Sequence, residues 1–247
     1  MKRAEFHDFF ESLAPIILPV IHVISETQTS INIDKLIDAG IKGCFLINHD
    51  FNIKTFLPII RSIRTDYPDF WIGINFLAVT GLNAFPILTS LENGGCRIDA
   101  YWGDDARIDE RETHQVEAEA IAKTRQECGW TGLYFGGTAF KKQRPINPKD
   151  YTESAMLAAN YMDVVTTSGI ATGNAAEISK IATFRSALPD SPIALASGIT
   201  PDNAKNYKMV DCFMVATGIN IDDDFYNIDS KKLNLLISQC QKMEGSE

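Results

Sequence analysis

Between Ile16 and Ala216 the sequence alternates short apolar runs of β type with amphipathic stretches of helical period, one after the other, eight times over. Strict alternation of this kind implies parallel strands, because parallel neighbours need a crossover and a helix is the usual one. The predicted strands are Ile16–Val23, Gly43–Asn48, Phe70–Leu77, Gly95–Tyr101, Gly132–Thr138, Met162–Thr167, Pro192–Ala196 and Asp211–Ala216. A doubly wound open sheet competes with a closed barrel. The eightfold count, the length of 247 residues and the absence of an early G-x-G-x-x-G favour one α/β domain over residues 1–247, a single (β/α)8 TIM barrel.

Local signals place the crossovers. Asn32 and Gly40 bracket a helix over Ile33–Ala39. Asn147-Pro148 caps and opens another, Asn174 with Glu177 suits a capping box, and Thr200-Pro201 opens a short helix. Hydrophobic residues at 45% and charged residues at 22% fit a chain with a sizeable core. A net charge of −9 disfavours nucleic acid and anionic membrane surfaces as partners, yet leaves room for a small anion held by backbone amides. Cys44, Cys96, Cys128, Cys212 and Cys240 are scattered and form no C-x-x-C pair, which predicts reduced, mostly buried thiols in a cytoplasmic protein. No signal peptide or membrane span is expected, no cofactor or metal motif is present, and a homo-oligomer is compatible with the composition.

In a (β/α)8 barrel function sits at the C-terminal strand ends. The clearest signal there is Ala196-Ser197-Gly198-Ile199-Thr200-Pro201, a buried strand running into a glycine turn and a capped helix. With Val215-Ala216-Thr217-Gly218 it predicts a phosphate site at Ser197, Gly198, Thr200, Thr217 and Gly218, built from free N–H groups and a helix dipole. Thr166-Thr167-Ser168-Gly169 and Thr172-Gly173 offer hydroxyls and close backbone approach. Asn48 and Asn75 complete the substrate-binding candidates with Thr167, Ser168 and Gly169.

For chemistry, a carboxylate at a barrel mouth can move protons if its surroundings tune it. Asp99 is the favoured one, because a period of two puts Arg97, Asp99 and Tyr101 on one face and leaves Ile98 and Ala100 for the helix layer. Asp104-Asp105 reads as a loop with at most one inward member. Lys141 is the mouth cation, able to hold phosphate or form a Schiff base, while Lys142 reads as surface. His22 ends an apolar strand and is placed for acid–base work or a substrate hydrogen bond. His49-Asp50 lacks metal-ligand spacing, and His7 and His114 read as surface residues.

These segments carry a resemblance. Pro19-Val20-Ile21-His22, Ile72-Gly73-Ile74-Asn75-Phe76-Leu77, Asp163-Val164-Val165-Thr166-Thr167-Ser168-Gly169 with Thr172-Gly173, Ala196 to Thr200 with Asn203, and Val215 to Gly218 resemble the BtpA family of barrels, itself similar to ribulose-phosphate-binding barrels. The chain departs from that pattern at Ile47-Asn48-His49-Asp50, where glutamate-asparagine is expected, and at Val23-Ile24-Ser25-Glu26, where a proline-rich loop is expected. The resemblance implies a barrel with a phosphate site. Members of the family are tied to photosystem assembly or to sugar-metabolism gene clusters. Two functions follow as expectations. One is an isomerase or lyase on a phosphorylated sugar or nucleotide-like small molecule, with Asp99, Lys141 and His22 at the reacting carbons. The other is a non-catalytic assembly or scaffolding factor with an exposed apolar patch away from the mouth.

Overall fold

The computed structural model describes residues 1–141 and 143–244, so Lys142 lies outside the described residues. Eight parallel strands close into one barrel: β1 (Ile16–His22), β2 (Gly43–Ile47), β3 (Trp71–Asn75), β4 (Ala100–Gly103), β5 (Leu133–Gly137), β6 (Val164–Ser168), β7 (Ile193–Ala196) and β8 (Cys212–Val215). Pairing of Ile16 with Cys212 and of Leu18 with Met214 joins β8 back to β1. The helices are α1 (Arg3–Phe10), α2 (Glu26–Asp38), α3 (Ile53–Asp66), α4 (Gly81–Asn93), α5 (Val116–Cys128), α6 (Tyr151–Ala158), α7 (Ile178–Ala187) and α8 (Ser230–Glu244).

Alternation along the strands sorts the buried residues into two cores. Leu18, Val20, Phe45, Trp71, Trp102, Phe135 and Met214 form one cluster inside the ring. Ile21, Leu46, Ile74, Tyr101 and Val165 pack outward against Leu36, Ile60, Phe85 and Phe184 of the helices. The interior is filled by large rings, and Gly73 makes room for one of them: a Cβ there would lie 2.3 Å from the Phe45 ring. The N-terminal end of the ring is stoppered by α1, an element the sequence did not announce. Its Phe6 stands 6.2 Å from Phe135 and its Phe10 5.5 Å from Trp71, both edge to face.

Four elements differ from the sequence-based expectation, among them α7, whose N-cap is Glu177 and not Asn174. β4 runs Ala100–Gly103 and not Gly95–Tyr101, and its inward residues are Ala100 and Trp102, so the face assignment inverts. Small Ala100 points into the crowded interior, while Tyr101 takes the helix side, where its hydroxyl donates to the Val79 carbonyl at 2.6 Å. α2 begins at Glu26, because Ser25 Oγ accepts the Gln28 N–H at 3.2 Å. Asn32 is then a buried mid-helix residue and caps nothing. Between β7 and β8 stands only a single 3₁₀ turn, Ala204–Tyr207.

Around the N-terminal rim one arrangement recurs three times. An arginine on the helix before an odd strand reaches the aspartate that precedes the next even strand, and that aspartate also accepts a backbone N–H of the odd strand. The sets are Arg64, Asp99 and Ile72 N–H (2.6 and 2.8 Å), Arg125, Asp163 and Tyr134 N–H (2.6 and 2.7 Å), and Arg185, Asp211 and Ile193 N–H. Before β2 the polarity is exchanged: Lys42 pairs with Glu11, just past α1, at 2.7 Å. Asp211 further accepts from Arg3 at 2.6 Å and His7 at 2.9 Å, which fastens α1 to the ring. His7 is therefore not the free surface residue its sequence context suggested.

Candidate active site

At the C-terminal end of the ring, His22, His49, Trp102, Asp104 and Lys141 line one cavity of about 50 Å³, and Thr172, Gly173, Ser197 and Thr217 line its remaining arc. His22 continues the inward face of Leu18 and Val20. Its Nδ1 lies 3.1 Å from the Phe225 carbonyl oxygen, its ring stacks on Phe225 at 3.8 Å, and the His49 ring stands 4.8 Å away. Burial pushes its pKa down to about 3, helped by the neighbouring His49 and Lys141.

Asp104 continues the inward face of Ala100 and Trp102, and Asn75 Nδ2 donates to its Oδ1 at 3.1 Å. Asp105, its neighbour, turns to the loop and accepts the Arg107 N–H at 2.8 Å. Lys141 is set by its backbone: its N–H donates to Ser168 Oγ at 2.7 Å. Gln143 holds the same loop, accepting the Phe140 N–H at 3.0 Å and donating to the carbonyls of Asp104 (2.7 Å) and Gly137 (3.1 Å). Behind β5 and β6 the buried Lys180 ammonium donates to Ala139 O at 2.5 Å and Ser168 O at 2.8 Å, and burial lowers its pKa to about 8.

Asp99 is not in this group. It precedes β4 at the opposite end of the barrel, bound by Arg64 at 2.6 Å, by Arg97 at 2.8 Å and by the Ile72 N–H. The expectation that it meets Lys141 and the reacting carbons is corrected: its charge is spent on the rim. Asp104 is the carboxylate at the mouth.

The glycine turns also take a different part from the one expected. Ser197 and Gly198 both adopt left-handed backbone, with φ of +75° and +72°. A Cβ on Gly198 would sit 2.2 Å from the Ala175 nitrogen, one on Gly218 1.8 Å from the Ile199 carbonyl oxygen, and one on Gly169 2.3 Å from the Asn174 carbonyl oxygen. These glycines let the loops after β6, β7 and β8 stack backbone to backbone. The Thr200 N–H donates to Asn203 Oδ1 at 2.9 Å, and the short 3₁₀ turn beyond it supplies no long helix dipole. The rim residues that line the cavity are Thr172, Gly173, Ser197 and Thr217, with Ser197 Oγ donating to Asn174 O at 3.4 Å.

The other substrate-binding candidates hold the framework. Asn48 ties Phe51 O (2.7 Å) to the Leu77 N–H (3.1 Å). Thr167 Oγ1 donates to Ala139 O at 3.3 Å on the helix side, and Asn75 and Ser168 orient Asp104 and Lys141. Trp102 was not among the candidates, and His49 was considered only as a strand-end polar residue and as a metal ligand. Trp102 could have been found once β4 was taken to end at Gly103, since Trp102 and Asp104 then share the inner face. Among the described residues no cluster of three or more His, Cys, Asp or Glu is placed to hold a metal ion, and no helix is long and apolar enough to cross a membrane.

No protein-family profile matches the chain, and no curated protein sequence does. Solved barrels match it in fold. Tryptophan synthase subunit alpha from Legionella pneumophila str. Paris is 13% identical, each chain covered to 100%, with a TM-score of 0.65. Phosphoribosyl anthranilate isomerase from Thermus thermophilus is 13% identical over 92% of this chain and 99% of that one, with a TM-score of 0.60. A native KDPGal structure is 9% identical over 92% and 95%, with a TM-score of 0.62. At such identities the likeness shows the barrel alone.

Proposed function

We propose that the mouth binds a small phosphorylated carbonyl compound and that Asp104 and Lys141 carry proton transfer on it, as an isomerase or lyase does. One observation carries this reading: a carboxylate, a lysine and two imidazoles from β1, β2, β4 and the β5 loop line the same cavity as the hydroxyl and glycine rim of the last three loops. Enolisation next to a carbonyl needs a base for the carbon-bound proton and a cation beside the oxygen that gains charge. Asp104, steadied by Asn75, supplies the first, and Lys141, steadied by Ser168, the second. Thr172, Ser197 and Thr217 would hold the phosphate oxygens with the backbone at Gly173.

A panel of phosphorylated sugars tested by thermal shift examines it. A ligand at a hundred times its Kd stabilises by about 2.7 kcal/mol, or about 5–10 °C for a chain of this size. With such a ligand in hand, Asp104→Asn should lower turnover by about 10²–10⁴ with little change in binding. A shift that survives Ser197→Ala/Thr217→Val removes the phosphate site, and full turnover in Asp104→Asn removes the mechanism.

The alternative of an assembly factor draws on the other end of the barrel. Phe9 is 55% and Leu13 87% exposed, next to a groove of about 350 Å³ bordered by Phe10, Pro15, Ile41 and Ile237. Sedimentation of Leu13→Asp against the unaltered chain tests it: an unchanged assembly state in both speaks against this reading.

A further inference from the structure

His22, at the mouth, stands against the loop that follows β8. A carbonyl oxygen can only accept, so the 3.1 Å contact between His22 Nδ1 and Phe225 O puts the proton on Nδ1. In a neutral ring Nε2 then carries a lone pair. We propose that the loop from Asn220 to Ile228 fixes His22 as a neutral hydrogen-bond acceptor, so that the substrate group lodged beside it is a hydroxyl or N–H donor. The proposal rests on the mouth being the substrate site.

The loop is held for this purpose by three buried amides. Asn220 Nδ2 donates to the same Phe225 carbonyl at 2.8 Å. Gln28 and Asn32, both on α2, donate to the Tyr226 carbonyl at 2.6 and 2.9 Å, and Asn32 Oδ1 accepts the Ile228 N–H at 3.0 Å. A backbone bridge between Asn220 and Ile228 closes the loop on itself. The Phe225 oxygen is thereby set in place from two elements, and the stacked Phe225 ring covers one face of the imidazole.

The charged and titratable groups around His22 are His49 from the end of β2, Lys141 from the β5 loop and Asp50. The first two disfavour an imidazolium, while Asp50 and the Phe225 carbonyl favour one and burial outweighs them; Asp104 lines the same cavity. Trp102 shares the lining of this cavity. It is 4% exposed and has no hydrogen-bond partner for Nε1 among the described residues. A hydroxyl can give its proton to His22 Nε2, which a bare carbonyl or an anion cannot, and Trp102 Nε1 is a donor among the lining residues.

Two measurements test this. Long-range ¹H–¹⁵N spectra of histidine-labelled protein, assigned with His22→Gln, should show His22 protonated at Nδ1, with Nε2 bare and unchanged from pH 8 to pH 5. An Nε2–H ring, or one that charges in that range, overturns the proposal. Asn220→Ala should mix the two tautomers, whereas Tyr226→Phe, which removes only the outer bond to Asp50 at 2.9 Å, should not. A tautomer equally fixed in a folded Asn220→Ala protein overturns the role of the loop. Should that variant not fold, the wild-type spectrum still decides the tautomer. In the second measurement glycerol 3-phosphate should bind about tenfold tighter than propyl phosphate, and Trp102→Phe should narrow the gap. Equal affinities overturn the hydroxyl assignment while leaving the phosphate reading intact; binding of both that ignores Ser197→Ala/Thr217→Val defeats the phosphate reading instead.

Discussion

Replacing Asp211 with asparagine removes a carboxylate that ties four residues of the N-terminal rim together. Its side chain is wholly buried and accepts from Arg3, His7, Arg185 and the Ile193 N–H. Asparagine keeps the volume but offers one accepting oxygen, and it turns an amide toward cationic donors. Arg185, whose side chain is only 15% exposed, is left without its counter-charge. Taking one partner from a buried pair costs about 3–5 kcal/mol. At about 2–4 °C per kcal/mol for a chain of this length, the melting temperature should fall by about 6–20 °C. Urea titration followed by circular dichroism should show a lower midpoint with an unchanged slope. The double variant Asp211→Asn/Arg185→Met should lose less than the two single losses added, because the second change removes the stranded charge. The related carboxylates give a ranking: side-chain exposure is 0% for Asp211, 14% for Asp99 and 23% for Asp163, so the asparagine variants should be harmed in that order. A loss under about 1 kcal/mol at Asp211, or strict additivity with Arg185→Met, refutes the reasoning.

The same cluster makes stability depend on pH. The hydrogen bond to Asp211 raises the His7 pKa above 6.5 against the cost of burial, so its stabilisation is full below 6.5 and is lost as pH rises through the folded value. Urea midpoints of wild type and His7→Gln should therefore converge as pH rises above 6.5, and a constant gap counts against the pair. Gly198→Ala should displace the loop after β6 by pressing on Ala175, costing about 1–3 kcal/mol and exposing Asn174 to limited proteolysis; wild-type stability and cleavage would show that the loops do not stack as described. Lys180 has a folded pKa near 8 against an ordinary 10.5, so the unfolded chain binds the proton more tightly between those values and stability should rise with pH there. Lys180→Met should abolish that rise, as read from midpoints at pH 8 and 10, and an undiminished rise assigns it to other groups.

The ring of eight strands was legible because a parallel strand buried on both faces reads as an apolar run, and seven of the eight runs fall within two residues of the observed spans. β4 failed for a physical reason. Cys96-Arg97-Ile98-Asp99 alternates like a strand, but its charges belong to the rim clasp, and the strand proper is the short Ala100-Tyr101-Trp102-Gly103. That slip carried the carboxylate assignment to the wrong end of the barrel. His22 and Lys141 were readable as strand-end polar residues. The service of Gln28 and Asn32 to the loop after β8 was not, since Tyr226 lies 198 and 194 positions away from them and they meet only on closure of the ring. α1 escaped notice because an eight-residue segment with two buried phenylalanines looks, by itself, like a charged surface stretch.

The recurring rim clasps make the barrel modular. Each one lies wholly inside a segment that runs from one helix through its strand to the next strand: α3 to β4, α5 to β6, α7 to β8. A joint placed at the mouth, in the loops after β2, β4 or β6, leaves every clasp whole, whereas a joint at the rim between α3 and β3 parts Arg64 from Asp99. Such segments suit shuffling between related barrels and relocation of the chain ends. Arg3 and His7 are the exception that holds the circle to one order, because they weld the first segment to the last.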